Sequence, residues 1–225
     1  VWDGNATWLV VVGVSLFAAF PVVYAVFLSA FYIPVLVLLA GLIFRGVAFE
    51  FCNRNHARGL WDRGFYIGSA VAAFVQGAAV GAMIRGIPVA NGQYAGGSFD
   101  WLALLPVLTG VGLILGYALL GATWLVLKSE GALRDWARRR IPRLAGAVLL
   151  VLGLAAVAAL VDRDRIRSDL FGTRVWGLVF PLIGLLAIAG VIVGTRRQRD
   201  GWPFAMTVLF FFASFLTLAV MFWPY

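Results

Sequence analysis

The chain is a succession of long apolar runs separated by short polar ones. Seven such runs can be laid out, at Trp8–Leu28, Ile33–Phe51, Phe65–Ile84, Trp101–Leu127, Leu144–Val161, Val175–Val193 and Trp202–Trp223. Each is long enough for a helix to cross a bilayer, since ~20 residues rising ~1.5 Å each cover ~30 Å of hydrocarbon. A transmembrane β-strand would need only about 10 residues, alternating apolar and polar, and no run here alternates in that way. The pattern predicts an all-α, polytopic transmembrane bundle of about seven spans, forming one domain over residues 1–225. No long linker or low-complexity tract interrupts it, and no internal repeat stands out.

Composition sharpens this. Of 225 residues, 63% are hydrophobic and only 12% charged, whereas a soluble domain carries about 25% charged residues. A soluble enzyme is excluded. The net charge of +8 is not a nucleic-acid footprint, because the basic residues sit in clusters between spans rather than on one solvated face. Arg54, Arg58 and Arg63 follow the second run. Lys128, Arg134, Arg138, Arg139, Arg140 and Arg143 follow the fourth, and Arg196, Arg197 and Arg199 follow the sixth. Arg85, Arg163, Arg165, Arg167 and Arg174 fall on the opposite side. The positive-inside rule puts the larger set in the cytoplasm. The mixed-charge segment Asp162–Asp169 then reads as a solvated external turn.

Two further patterns are structural. Small residues four apart, at Gly64/Gly68, Gly77/Gly81, Gly112/Gly116 and Gly190/Gly194, let helix backbones approach closely in lipid. Trp61, Trp101, Trp124, Trp176, Trp202 and Trp223 fall near span ends, as an interfacial aromatic belt requires.

Residues able to carry chemistry are few. His56 is the single histidine and lies in a basic loop, Cys52 is the single cysteine, and Met83, Met206 and Met221 are scattered over separate runs. A bis-His haem or a zinc or copper centre needs several such ligands together, so the residues predict no cofactor and no metal held by this chain. What remains is a small polar set at the cytoplasmic edge. Arg45 sits inside the run Tyr32–Phe51, and Glu50 closes it. A charge near the bilayer centre costs roughly 2.5–3.5 kcal/mol, so such a residue is expected to be paired or to face a bundle. Five residues apart on a helix, Arg45 and Glu50 are poorly placed to satisfy each other. Asp3 precedes the first run at the same membrane face, and a long Arg stem can snorkel toward it. The expected arrangement is therefore an Arg45–Asp3 pair across the first two spans, with Glu50 facing water or a third helix. Asp3 has two readings, an N-cap to the first helix and a carboxylate passing protons into the bundle. Glu50 divides similarly, between a helix-end charge and a proton-relay member. Gln76 is expected to hydrogen-bond a neighbouring helix, and Lys128 and Glu130 to anchor the interface.

Several blocks together resemble subunit II of the cytochrome bd-type ubiquinol oxidases. They are Trp2-Asp3-Gly4-Asn5 with Thr7-Trp8-Leu9, Leu16 to Pro21 with Tyr24-Ala25, and Phe44-Arg45-Gly46-Val47-Ala48-Phe49-Glu50-Phe51. Trp61-Asp62, Gly68-Ser69, Gln76-Gly77, Gly86-Ile87-Pro88, Gly121 to Leu125 and Lys128-Ser129-Glu130-Gly131 continue the series in order. The resemblance implies a haem-free subunit of a complex that oxidises quinol and reduces oxygen to water in the bacterial cytoplasmic (inner) membrane. Haem b and haem d would sit in a partner, subunit I, and a small third subunit and membrane lipid are further partners to expect. The family carboxylate credited with proton uptake matches Asp3. Two departures matter. Ala6 stands where family members carry Glu or Gln, and the pattern implies one more apolar helix before this stretch and one after it. The rival readings are a secondary transporter and a purely structural membrane subunit. The first is opposed by the lack of an inverted repeat and of paired, interrupted helices with polar groups at the midplane.

Overall fold

The structure, a computed structural model, describes residues 2–51, 58–161 and 178–222, with side chains from residue 7 onward and from 59 in the second segment. The described residues are overwhelmingly helical, and six helices are long and apolar enough to cross a membrane. The chain divides into two compact units, Val1–Gly110 and Val111–Tyr225, with the division inside one helix.

The first unit begins with α1 (Trp2–Ala19) and α2 (Pro21–Ala30), which together occupy the first apolar run. That run was expected to be one span. The reason it divides is Pro21, at the first position of α2, with Phe20 driven out of helical geometry at φ −135° and ψ 61°. Proline has no N–H and restricts the residue before it, so the ladder loses a rung there. The path is bent rather than severed, because Phe20 N–H still bonds Leu16 O and Tyr24 N–H bonds Phe20 O, both at 2.9 Å. The bend leaves α1 at 18 residues and α2 at 10, so this run is crossed by two shorter helices rather than one long one.

After the single residue Phe31 come α3 (Tyr32–Phe51) and α4 (Arg58–Arg85). These two pack along a seam of small residues. A Cβ on Gly68 would stand 2.6 Å from Gly41 O and 3.2 Å from Arg45 N, and one on Gly64 would meet Ala48 Cβ at 3.6 Å. The expectation that Gly64/Gly68 mediates close backbone approach holds. Gly81 does the same further along α4, where a Cβ would lie 2.7 Å from Pro106 Cα. Between α4 and the next helix lie a two-stranded hairpin, β1 (Val89–Ala90) and β2 (Gln93–Tyr94), and a short 3-10 turn at Asp100–Leu102. The hairpin pairs Val89 with Tyr94 and turns through Asn91 and Gly92, both at positive φ. A small core of Ala30, Phe31 and Ala82, flanked by Phe27, Tyr94 and Trp101, closes this end of the unit.

The second unit contains most of α5 (Leu104–Lys128), then α6 (Gly131–Val161), α7 (Val179–Arg196) and α8 (Gly201–Phe222). Its core joins Leu119 and Val126 of α5, Ile141, Ala145 and Val148 of α6, Ala187, Ile188 and Val191 of α7, and Phe210 of α8. The basic stretch after α5, expected as a loop, is helical. α6 begins at Gly131, which takes a positive φ of 63°, and carries its arginines on its first turns before the apolar run starts at Leu144. Pro142 sits within it.

Throughout the apolar helices, hydroxyls bond back to their own backbone. Thr195 donates to Val191 O at 2.7 Å, Thr207 to Pro203 O at 2.8 Å, and Thr217 to Ala213 O at 2.8 Å. In lipid this is the cheapest way to satisfy a hydroxyl without a second helix.

Candidate functional site

Asp3, Arg45, Glu50 and Gln76 belong to the first unit, whereas Lys128 and Glu130 lie exposed at and just after the end of α5 in the second. Asp3 lies in the first turn of α1, and its side chain is outside the described residues, so the expected Asp3–Arg45 pair cannot be placed. α2 continues from α1 across the bend, and α3 packs on α4. Arg45 is half-buried on the face of α3 turned to α4, its Cβ within 3.4 Å of the space a Gly68 side chain would take. No hydrogen bond or ion pair joins Arg45 to another described residue. Glu50 is exposed in the last turn of α3, five residues on. Gln76, half-buried on α4, bonds no described residue either. His56 and Cys52 lie outside the described residues.

The geometry gives Arg45 a definite setting. Glycine at 68 and 41 brings the two backbones together there, with Arg45 N and Cβ against Gly68. Arg45 stands six residues before the end of α3, ~9 Å along the axis. That depth places its charge within reach of the interface by snorkelling while its stem stays in apolar surroundings.

A second polar cluster, which the sequence reading missed, lies in the second unit. Arg134 and Arg138, one turn apart on α6, both donate to the carboxylate of Asp200, in the link between α7 and α8. Arg138 also donates to Gln198 Oε1 at 3.4 Å. The link is shaped to present Asp200. Gln198 takes φ 55°, its N–H bonds Thr195 O at 3.3 Å, and Arg199 N–H bonds Gly194 O at 3.1 Å. That is a Schellman ending with glutamine where glycine is usual. The clamp joins the first turns of α6 to the α7–α8 link. No short-range signal in the sequence announces it, because the partners are more than sixty residues apart.

A third cluster lies in the connection after α4. The Tyr94 hydroxyl donates to Gly97 O at 2.7 Å and lies 3.2 Å from Asp100 Oδ2, which also accepts from Gly97 N–H at 2.8 Å. Desolvation first, and then the Asp100 charge and its hydrogen bond, raise the Tyr94 pKa above its ordinary value.

No group of three or more His, Cys, Asp or Glu side chains able to hold a metal comes together among the described residues. Met206 of α8 packs against Gly190 of α7, with Sδ 2.9 Å from where a Cβ would stand, and Met83 lies exposed on α4.

Fold and composition define the class: a multi-pass helical membrane protein whose polar groups gather at helix ends. Residues 1–225 match the family described as cytochrome bd terminal oxidase subunit II, and the chain belongs to that family. It is 33% identical to cytochrome bd ubiquinol oxidase subunit 2 of Bacillus subtilis, over 92% of this chain and 61% of that one. It is 30% identical to a probable cytochrome oxidase subunit 2 of Haemophilus influenzae, covering all of this chain and 68% of that one. To cytochrome bd-I ubiquinol oxidase subunit 2 of Escherichia coli K12 it is 28% identical, with the same coverage. The chain thus spans roughly two thirds of the length of these relatives.

Proposed function

We propose that this chain acts as the haem-free second subunit of a bd-type quinol:oxygen oxidoreductase in the bacterial cytoplasmic (inner) membrane. Haem b and haem d belong to subunit I, quinol is the substrate of the complex, and this chain stabilises the haem-bearing partner. A small third subunit and lipid complete the assembly. Asp3 opens a proton-uptake path from the cytoplasm, and Arg45 and Glu50 set its electrostatics. The whole-chain family match carries the reading. Arg45 adds a physical motive, since a guanidinium at that depth with no described partner calls for a counter-charge from Asp3 or from a neighbouring chain.

The chemistry follows from sidedness. Oxygen reduction consumes protons, and quinol oxidation releases them; if uptake is cytoplasmic and release is outward, a membrane potential forms without a pump. Asp3 is suited to uptake because it stands in the first turn of α1, at the face the basic clusters mark as cytoplasmic. The neighbouring Ala6 supplies no second carboxylate, so Asp3 carries that duty with fewer helpers.

Co-expression with the haem-bearing partner tests the assembly, and Asp3→Asn tests the proton role. The complex should co-purify with haem b and haem d absorption, and the variant should lower oxygen consumption and proton uptake about ten-fold or more while the spectrum stays intact. Unchanged uptake in the variant would leave a purely structural subunit. A colourless, partner-free protein that moves a solute would favour transport instead.

A further inference from the structure

The first turns of α6 present two arginine faces with opposite fates. Inward, Arg134 and Arg138 share the Asp200 carboxylate, above the buried Ile141, Ala145 and Val148. Outward, Trp136, Arg139, Arg140 and Arg143 recur at three- and four-residue spacing on the opposite side, and all four are exposed. None of these three arginines has an ion-pair partner among the described residues, although Asp135 stands one turn before Arg139. Arg140 lies over the Trp136 ring, 4.7 Å from its centroid. Below them the same face continues as an exposed apolar stripe, with Leu150 64%, Leu154 48% and Val157 58% exposed. Arg143 immediately precedes Leu144, where the apolar run begins, so the three charges sit at headgroup level rather than in hydrocarbon.

A cationic triad over an apolar stripe is complementary to one kind of molecule, a phosphate-bearing head on acyl chains. We propose that this face of α6 binds an anionic phospholipid of the cytoplasmic leaflet. Arg139, Arg140 and Arg143 hold the phosphate, Trp136 fixes Arg140 and covers the glycerol region, and the acyl chains run along Leu150, Leu154 and Val157. The division of labour explains why α6 carries so many arginines: the inner pair locks the α7–α8 link and the outer triad takes the lipid. The inference stands apart from the oxidase reading, since it uses no residue of the Asp3 region.

The test is lipid retention by the full chain purified in detergent, titrated with phosphatidylglycerol or with phosphatidylcholine of the same acyl chains. Bound lipids are counted by mass spectrometry. Phosphatidylglycerol should be retained preferentially, and the triple variant R139Q/R140Q/R143Q should lose about a hundred-fold in that affinity, at roughly five-fold per charge. The lysine triple variant, which keeps the charges, should retain most of it, and high salt should erase the preference of the native chain. If the glutamine variant does not fold, the lysine variant and the salt titration decide the matter alone. Equal retention of the two lipids overturns the proposal, as does a salt-independent preference. Native-like affinity in the glutamine variant overturns it too. Displacement by millimolar inorganic phosphate as readily as by phosphatidylglycerol would show a free-anion site, and a co-purifying polypeptide shielding the triad would show a protein interface; either result overturns it.

Discussion

The α3–α4 seam makes its sharpest prediction at Gly68. Building a methyl group there puts carbon 2.6 Å from the carbonyl oxygen of Gly41 and 3.2 Å from the amide nitrogen of Arg45. Ordinary contact begins at about 3.4 Å, so the two backbones must separate by about 0.8 Å, and neither atom is the end of a flexible side chain. Overpacking of this kind costs about 1–3 kcal/mol. Alanine's better helix propensity returns about 1 kcal/mol, which leaves Gly68→Ala a net change of about 0–2 kcal/mol destabilising, and about 1–3 kcal/mol less stable than a glycine-to-alanine change in open space. The internal control is Gly146→Ala on α6, where nothing lies within 4 Å and only the propensity gain applies. Reversible unfolding of both variants in mixed micelles gives the comparison directly. Gly68→Ala as stable as Gly146→Ala would refute the close approach and, with it, the placement of Arg45 against α4.

Three other perturbations reach different parts of the chain. Asp200→Asn removes the carboxylate shared by Arg134 and Arg138; the groups are partly exposed, so the loss in unfolding free energy should be about 1 kcal/mol, and it should shrink in high salt. Gln198→Gly relieves a left-handed position at φ 55° and should stabilise by up to about 1 kcal/mol, less whatever the Arg138 contact contributes, as read by thermal unfolding. Tyr94 has a raised pKa, so the native state holds that proton more tightly than the unfolded chain. Its contribution is therefore complete below pH 10.0 and is lost as pH rises through the raised value, which the tyrosinate absorbance difference between native protein and Tyr94→Phe will follow. Asp100→Asn should bring that titration partly back, leaving the larger desolvation effect in place.

Helices were legible because lipid imposes a length and a composition on anything that crosses it. The span expected at Ile33–Phe51 lies within one residue of α3, and the glycines at 64 and 68 announced their seam. Three things were hidden, each for a physical reason. The bend at Phe20–Pro21 was masked by unbroken hydrophobicity, since proline changes backbone hydrogen bonding and not polarity. The helical start of α6 was hidden because its arginines read as a topology signal, and good helix formers carry the same charges. The Asp200 clamp depends on tertiary proximity between connections far apart in sequence. Of the candidate site, Arg45 could be placed on its helix and Glu50 at the helix end, whereas the partner of Asp3 depends on side chains outside the described set.

The central claim is that this chain works beside a haem-bearing polypeptide through a carboxylate at its cytoplasmic edge. Proton uptake measured during oxygen consumption, in vesicles of the co-expressed complex with Asp3 intact or replaced by Asn, tests it most directly. The account predicts haem b and haem d absorption in both preparations and uptake slowed about ten-fold or more in the variant alone. Vesicles lacking those bands, or equal uptake rates in the two, would contradict it.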